Sequence, residues 1–387
     1  MNIAYKKKFK RRLITLIILV VVFITLILLR LSKDVCEWWF RTIGRAYYYV
    51  FAPLTKYIPF SLTEIAILVA IASLIIWLFL TIRHIHRLRF KGSSKWWLGI
   101  ANVALIFGIA YFTSCGMSYN RYPVDIPQYE GDPIEDEQMY YDMGYYFLTD
   151  FNNATAQLEF EESGEVKNPY STYRINEILN EEYSKLESDY FHKFTTNAKP
   201  MYLLSWLYRE FQITGITFCP LGEANVNNLA TNAEKPFTMA HELAHSKGVM
   251  KEDEANLVAA YICINSSDAF LKYSGYMRCF NSAVPFIRAS NFEGAYQNYQ
   301  KTINKNIGRN KTYIYDYWDK HNLLENMSDF FNNIYLEIFG NQTTDSYIDH
   351  THTDVIIKPD GTKKYKISSY SPYQKMMIAT YLKSVAK

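Results

Sequence analysis

Three apolar runs decide what the first 114 residues of this chain can become. Residues 13 to 29 (LITLIILVVVFITLILL) are apolar except for Thr15 and Thr25, and two further runs extend from about Leu62 to Ile82 and from about Trp96 to Phe112. Each approaches the roughly 20 residues that carry a helix across a bilayer, a medium in which the backbone must satisfy its own hydrogen bonds. A membrane region is therefore predicted over residues 1–114, with transmembrane helices at about 13–31, 62–82 and 96–113. The first run reads as an uncleaved anchor. It is long for a signal peptide, and Arg30, Lys33 and Asp34 follow it where a small-residue cleavage site would stand. Glu64, next to Ser61, reads as a helix start near the interface and not as an intramembrane charge.

Charge gives an orientation. Residues 1–95 hold 16 Lys+Arg against 3 Asp+Glu, while residues 96–387 hold 25 against 35, so a formal charge of +3 conceals a basic half and an acidic half. The basic residues crowd the amino-terminal arm and the short loop RHIHRLRFKGSSK (residues 83 to 95), which places both in the cytoplasm. Three crossings then put everything after Phe112 outside the membrane, against the weaker basic density of the loop from 30 to 61. His84 and His86 belong to a solvated basic loop on this reading. Nucleic acid is a poor partner for the basic half, whose charges flank apolar spans instead of forming a folded surface. The lipid bilayer is the expected one.

Beyond the membrane region, residues 115–135 are rich in Pro, Asp and Glu and read as a linker, followed by one domain over 136–387. Apolar and aromatic spacing predicts helices over 136–158, 172–194, 201–211 and 313–340 and a closing helix from Pro372. Short strands are expected near 213–219 and 224–227, and a hairpin over 355–367 turning at Pro359, Asp360 and Gly361. The fold class is thus mainly α, an α+β domain following three transmembrane helices. Five cysteines, Cys36 and Cys115 at membrane boundaries and Cys219, Cys263 and Cys279 beyond them, argue against a disulfide framework, with a single Cys263–Cys279 bridge left open. Cys219 reads as a buried small hydrophobe.

The chemistry lies in residues 237–256, FTMAHELAHSKGVMKEDEAN. His241 and His245, four apart on a helix, share a face and can offer neutral imidazoles to one zinc ion, with Glu242 beside them as general base. A catalytic zinc keeps three protein ligands and leaves a fourth position for water. Gly248 is a helix stop after which the chain reverses, and Glu254 is the chosen third ligand because it heads the following helix; Glu252 and Asp253 are its rivals. Tyr273 and Tyr276, in YSGYM, are candidate hydrogen-bond donors to an oxyanion, with core packing as the plainer role. His350 and His352 offer a second metal pair with no third partner near.

HELAH followed by EDEAN resembles the compact zincins of the ImmA/IrrE metallopeptidase type, a likeness that implies a glutamate of the E-A-N run completes the site. The pieces KPMYLLSWL, ITGITFCPLGEANVN, PFTMAHELAH, EDEAN and YSGYM resemble an uncharacterised bacterial membrane family, domain of unknown function 3810. The resemblance implies a zincin-like extracytoplasmic domain anchored in the bacterial plasma membrane. The expected activity is zinc-dependent hydrolysis of a peptide or protein substrate of the cell envelope. The rival is a non-catalytic envelope-binding protein with a relict zincin fold. Oligomeric state is not legible.

Overall fold

The computed structural model describes residues 3–88, 94–330, 333, 352–357, 359 and 363–386. It is mainly helical and divides into two compact units, Met1–Tyr122 with Thr217–Glu223, and Pro123–Ile216 with Ala224–Lys387.

In the first unit, α1 (Ile3–Leu29), α2 (Lys33–Trp39), α3 (Arg45–Lys56), α4 (Leu62–Leu88) and α5 (Ser94–Ser114) follow in order, α2 running through a π turn at Phe40–Gly44 into α3. Three helices are long and apolar enough to cross a membrane, over Lys6–Leu29, Leu62–Arg83 and Ser94–Ser114. These match the three runs. The segment 30–61, expected as a loop, is instead largely helical. Helix α1 packs along α5, where Phe23 meets Phe112 edge to face at 5.2 Å and the Asn102 side chain donates to Arg12 O at 3.1 Å. Helix α4 begins as Glu64 foretold, because Ser61 Oγ accepts the Glu64 N–H at 3.1 Å and Glu223 Oε1 accepts the Thr63 N–H at 3.2 Å. It continues to Leu88, so His86 is an exposed helical residue.

The expected linker is packed, not free. Gly116–Asn120 form a 3-10 turn with Met117 and Tyr119 buried. Arg121, 1 % exposed, donates to both carboxylate oxygens of Glu37 at 2.9 and 3.1 Å, and its guanidinium carbon lies 3.4 Å from the Phe40 ring centroid. A two-point pair of this kind fixes direction as well as distance.

The second unit is built on α6 (Glu137–Ala156), α7 (Thr172–Ser184), α8 (Ser205–Glu210), α9 (Lys235–Ser246), α10 (Glu252–Ile264), α11 (Ala269–Cys279), α12 (Val284–Ala289), α13 (Ala295–Thr302), α14 (Lys305–Asp319) and a last helix, Pro372–Val385. Three elements depart from the sequence expectation. Helix α7 stops at Ser184, where a helix to residue 194 was expected; Ser188 Oγ accepts the Tyr190 N–H at 3.1 Å, and Lys193 Nζ ties Leu186 O and Ser188 O at 2.8 and 2.7 Å. Tyr190, Phe191 and Phe194, helical by spacing, are buried from non-helical chain. Strand β1 (Lys199–Met201) takes Met201, the first residue of the helix expected over 201–211, and pairs in parallel with β3 (Glu223–Asn227), Lys199 opposite Asn225 and Met201 opposite Asn227. With β2 (Gly215–Phe218) they form a sheet in the order β1-β3-β2. Helix α14 ends at Asp319, although residues 325–330 are helical again. The hairpin is present as β4 (His352–Ile357) and β5 (Lys363–Ser369), while His350, Asp360 and Gly361 lie outside the described residues.

Helices α9, α10, α11 and α6 enclose the core. Helices α10 and α11 approach closely at Gly275, where an added Cβ would stand 2.6 Å from Cys263 Cβ. Both residues are buried, so neither helix can give without disturbing the other. Gly275→Ala is expected to cost about 1–3 kcal/mol through overpacking. Thermal unfolding followed by tryptophan fluorescence checks this; an unchanged midpoint would show that the crossing is loose.

Candidate metal site

Helix α9 is held at both ends before it presents any ligand. Pro236 occupies the first turn, where its missing N–H costs nothing. Ser274 Oγ accepts the Phe237 N–H at 3.0 Å and donates to Ala233 O at 2.5 Å, Trp318 Nε1 donates to the half-buried Glu234 carboxylate at 2.9 Å, and Tyr183 OH donates to Ala240 O at 2.6 Å. At the other end Gly248 takes φ +97°, with its N–H on His245 O at 3.0 Å and the Val249 N–H on Ala244 O at 3.1 Å. This is the left-handed stop for which glycine carries no Cβ penalty. Lys247 adds a buried ammonium donating to Phe194 O at 2.8 Å, and burial brings its pKa down to about 8.

The reversal through Gly248 brings the start of α10 back to α9. Lys251 is extended, Glu252 is the first helical residue, and its carboxylate reaches both histidines. Glu252 Oε2 lies 3.1 Å from His241 Nε2 and Oε1 lies 3.5 Å from His245 Nε2, while the two Nε2 atoms are 3.0 Å apart. Ligand atoms of all three residues lie within 4.8 Å of one another. His245 Nδ1 is 2.7 Å from Val249 O, and since a carbonyl can only accept, Nδ1 carries the hydrogen and Nε2 is left facing the cluster. His241 Nδ1 is buried with no hydrogen-bond partner among the described residues.

These electrostatics suit a cation. Burial opposes a charge on His245, but the adjacent Glu252 carboxylate outweighs it and lifts the imidazole to about 10. Burial likewise opposes charge on Glu252, and the two histidines outweigh it, holding the carboxyl well below the usual range. Two imidazole nitrogens and a carboxylate are donors that zinc and other first-row divalent ions accept, so the residues fit such an ion.

Among the sequence-derived candidates, His241, Glu242 and His245 lie together on α9 as expected. The structure does not bring Glu254 to the histidines: its Oε1 pairs with Lys251 Nζ at 3.0 Å and its Oε2 accepts from Tyr190 OH at 3.4 Å. The rival Glu252 occupies that place. Nor do Tyr273 and Tyr276 reach it. The Tyr273 hydroxyl accepts from Asn310 Nδ2 at 2.7 Å and the Tyr276 hydroxyl donates to Asp150 at 2.8 Å, both within the core. One neighbour went unrecognised in the sequence. A Cβ added to Gly215 would stand 2.7 Å from Glu242 Oε1, so the carboxylate lies directly over the backbone of β2. Glycine in a strand marks such an approach, though nothing in the sequence says what approaches.

A helix-borne His-Glu-x-x-His, closed by a carboxylate from the next helix, defines a candidate divalent-metal site in a chain with three membrane-length helices. The chain belongs to the family described as protein of unknown function (DUF3810), whose model matches residues 39–353 and so takes in the cluster and two of those helices. Neither the curated proteins nor the solved structures gave a match.

Proposed function

We propose that this chain is a membrane-anchored, zinc-dependent metallopeptidase. The observation that supports it is the convergence of Glu252 on His241 and His245 beside a carboxylate, Glu242, that is 5 % exposed and takes no part in the three-residue cluster. His241 Nε2, His245 Nε2 and Glu252 would hold the ion; when bound, a divalent cation polarises a carbonyl and acidifies water. Glu242 accepts the proton of the attacking water on its carboxylate and returns it to the departing amide nitrogen. Its position over Gly215 keeps that carboxylate in one place and partly dry, conditions under which proton transfer is effective. The positive-inside distribution supports an extracytoplasmic site, and hence a peptide or protein substrate of the cell envelope.

Full-length protein in detergent, offered a mixed peptide library, is expected to give new amino termini that vanish on chelation and return with zinc. A protein that binds zinc yet leaves the library intact would favour the non-catalytic reading. The Gly215→Ala variant is expected to keep its metal while losing at least about 10-fold in hydrolysis, because the added Cβ displaces the Glu242 carboxylate and misplacements near 1 Å cost up to about 100-fold. Unchanged hydrolysis would show that Glu242 tolerates movement.

A further inference from the structure

Helices α1 and α5 run parallel with their amino-terminal ends together. Phe9 and Trp97 line one cavity near the start of the pair, and Phe23 meets Phe112 near its end. Both membrane-length segments begin at this end, at Lys6 and Ser94. Polar contacts fasten the two helices here. Arg12 Nη1 donates to Lys95 O, Asn102 Nδ2 donates to Arg12 O at 3.1 Å, and a Cβ added to Gly99 would stand 3.1 Å from Arg12 Nη1. Trp97 is steadied from α4, where Trp77 meets it edge to face at 5.6 Å.

Beside this fixed seam lies a cavity of about 340 Å³, lined by Phe9, Ser94, Trp97, Leu98 and Ala101. Serine aside, its walls are apolar, so the cavity suits hydrocarbon. Its mouth is basic. At about 100° per residue, Lys6 and Lys10 stand on one flank of α1, about 60° and 100° around from Phe9, whereas Lys7 and Arg11 stand about 160° from it. Lys6 and Lys10 are exposed, and neither makes an ion pair among the described residues.

We propose that this cavity is a lipid site, which takes one acyl chain of an anionic phospholipid while Lys6 and Lys10 hold its phosphate. Lysines at the start of a membrane span reach the headgroup layer with their ammonium groups and lay their stems along apolar surface. A chain entering from that depth meets Phe9, Trp97, Leu98 and Ala101. A zwitterionic lipid brings the same chain, but its own cation offsets the attraction to lysine; free phosphate brings the charge without the chain. The site rests on these helices lying in a bilayer and is independent of the metal reading.

Native mass spectrometry of the full chain released from detergent, titrated with phosphatidylglycerol and with phosphatidylcholine of the same chains, tests it. One phosphatidylglycerol is expected to bind about 10- to 30-fold more tightly than phosphatidylcholine. Lys6→Gln with Lys10→Gln should bring the two lipids level. Lys7→Gln with Arg11→Gln, which removes the same charge from the opposite face, should keep the preference. All four residues are exposed, so both double variants keep the packing of α1. Ala101→Phe, which fills the cavity, should weaken both lipids, and excess inorganic phosphate should leave the lipid bound. Equal affinity for the two lipids, an equal loss in the two double variants, unchanged binding in Ala101→Phe, or displacement by inorganic phosphate would each overturn the proposal.

Discussion

Glu242→Gln is expected to lower hydrolysis by about 100- to 10,000-fold while leaving metal content unchanged. The amide keeps the size and hydrogen-bonding reach of the carboxylate but cannot accept a proton from water. It also sits outside the His241–His245–Glu252 cluster, so the donors that would hold the ion are untouched. Zinc content and peptide cleavage measured on one preparation separate the two effects. Full activity in the variant would remove Glu242 from the mechanism, and loss of metal along with activity would make it a ligand.

The second large effect concerns the third ligand. Glu252→Ala is expected to lose the ion, because it removes the carboxylate 3.1 Å from His241 and 3.5 Å from His245. Glu254→Ala should keep it, since that side chain is engaged with Lys251 and Tyr190. The loss at Glu252 should exceed the 10- to 100-fold typical of outer-shell changes, because a direct donor disappears. Competition with a fluorescent zinc chelator reads both affinities. The reverse order would return the ligand role to Glu254.

Why the sequence named the histidines but not the glutamate is a matter of helix phase. His241 and His245 lie on one helix, and a spacing of four fixes their common face whatever surrounds them. Glu252, Asp253 and Glu254 sit at the start of another helix, and successive residues there differ by about 100° in direction. Which one faces α9 depends on the residue at which α10 begins, set by the extended Lys251, and such boundaries are the least legible feature of a sequence. Tyr273 and Tyr276 show the same limit at longer range. Their hydroxyls are directed by Asn310 and Asp150, more than 30 and 120 residues away, and no local pattern carries that information. The three apolar helices were legible because length and hydropathy alone define them. Helix α7 was overextended because Tyr190, Phe191 and Phe194 keep a helical spacing that tertiary packing uses from non-helical chain.

Zinc-edge X-ray absorption on the full-length protein as purified, beside its metal count, tests the central claim most directly. The expected result is about one zinc per chain, with a first shell of nitrogen and oxygen donors at about 2.0–2.2 Å and no sulfur. A well-folded protein that binds no zinc after reconstitution, or one whose ion is coordinated by cysteine sulfur, would contradict it.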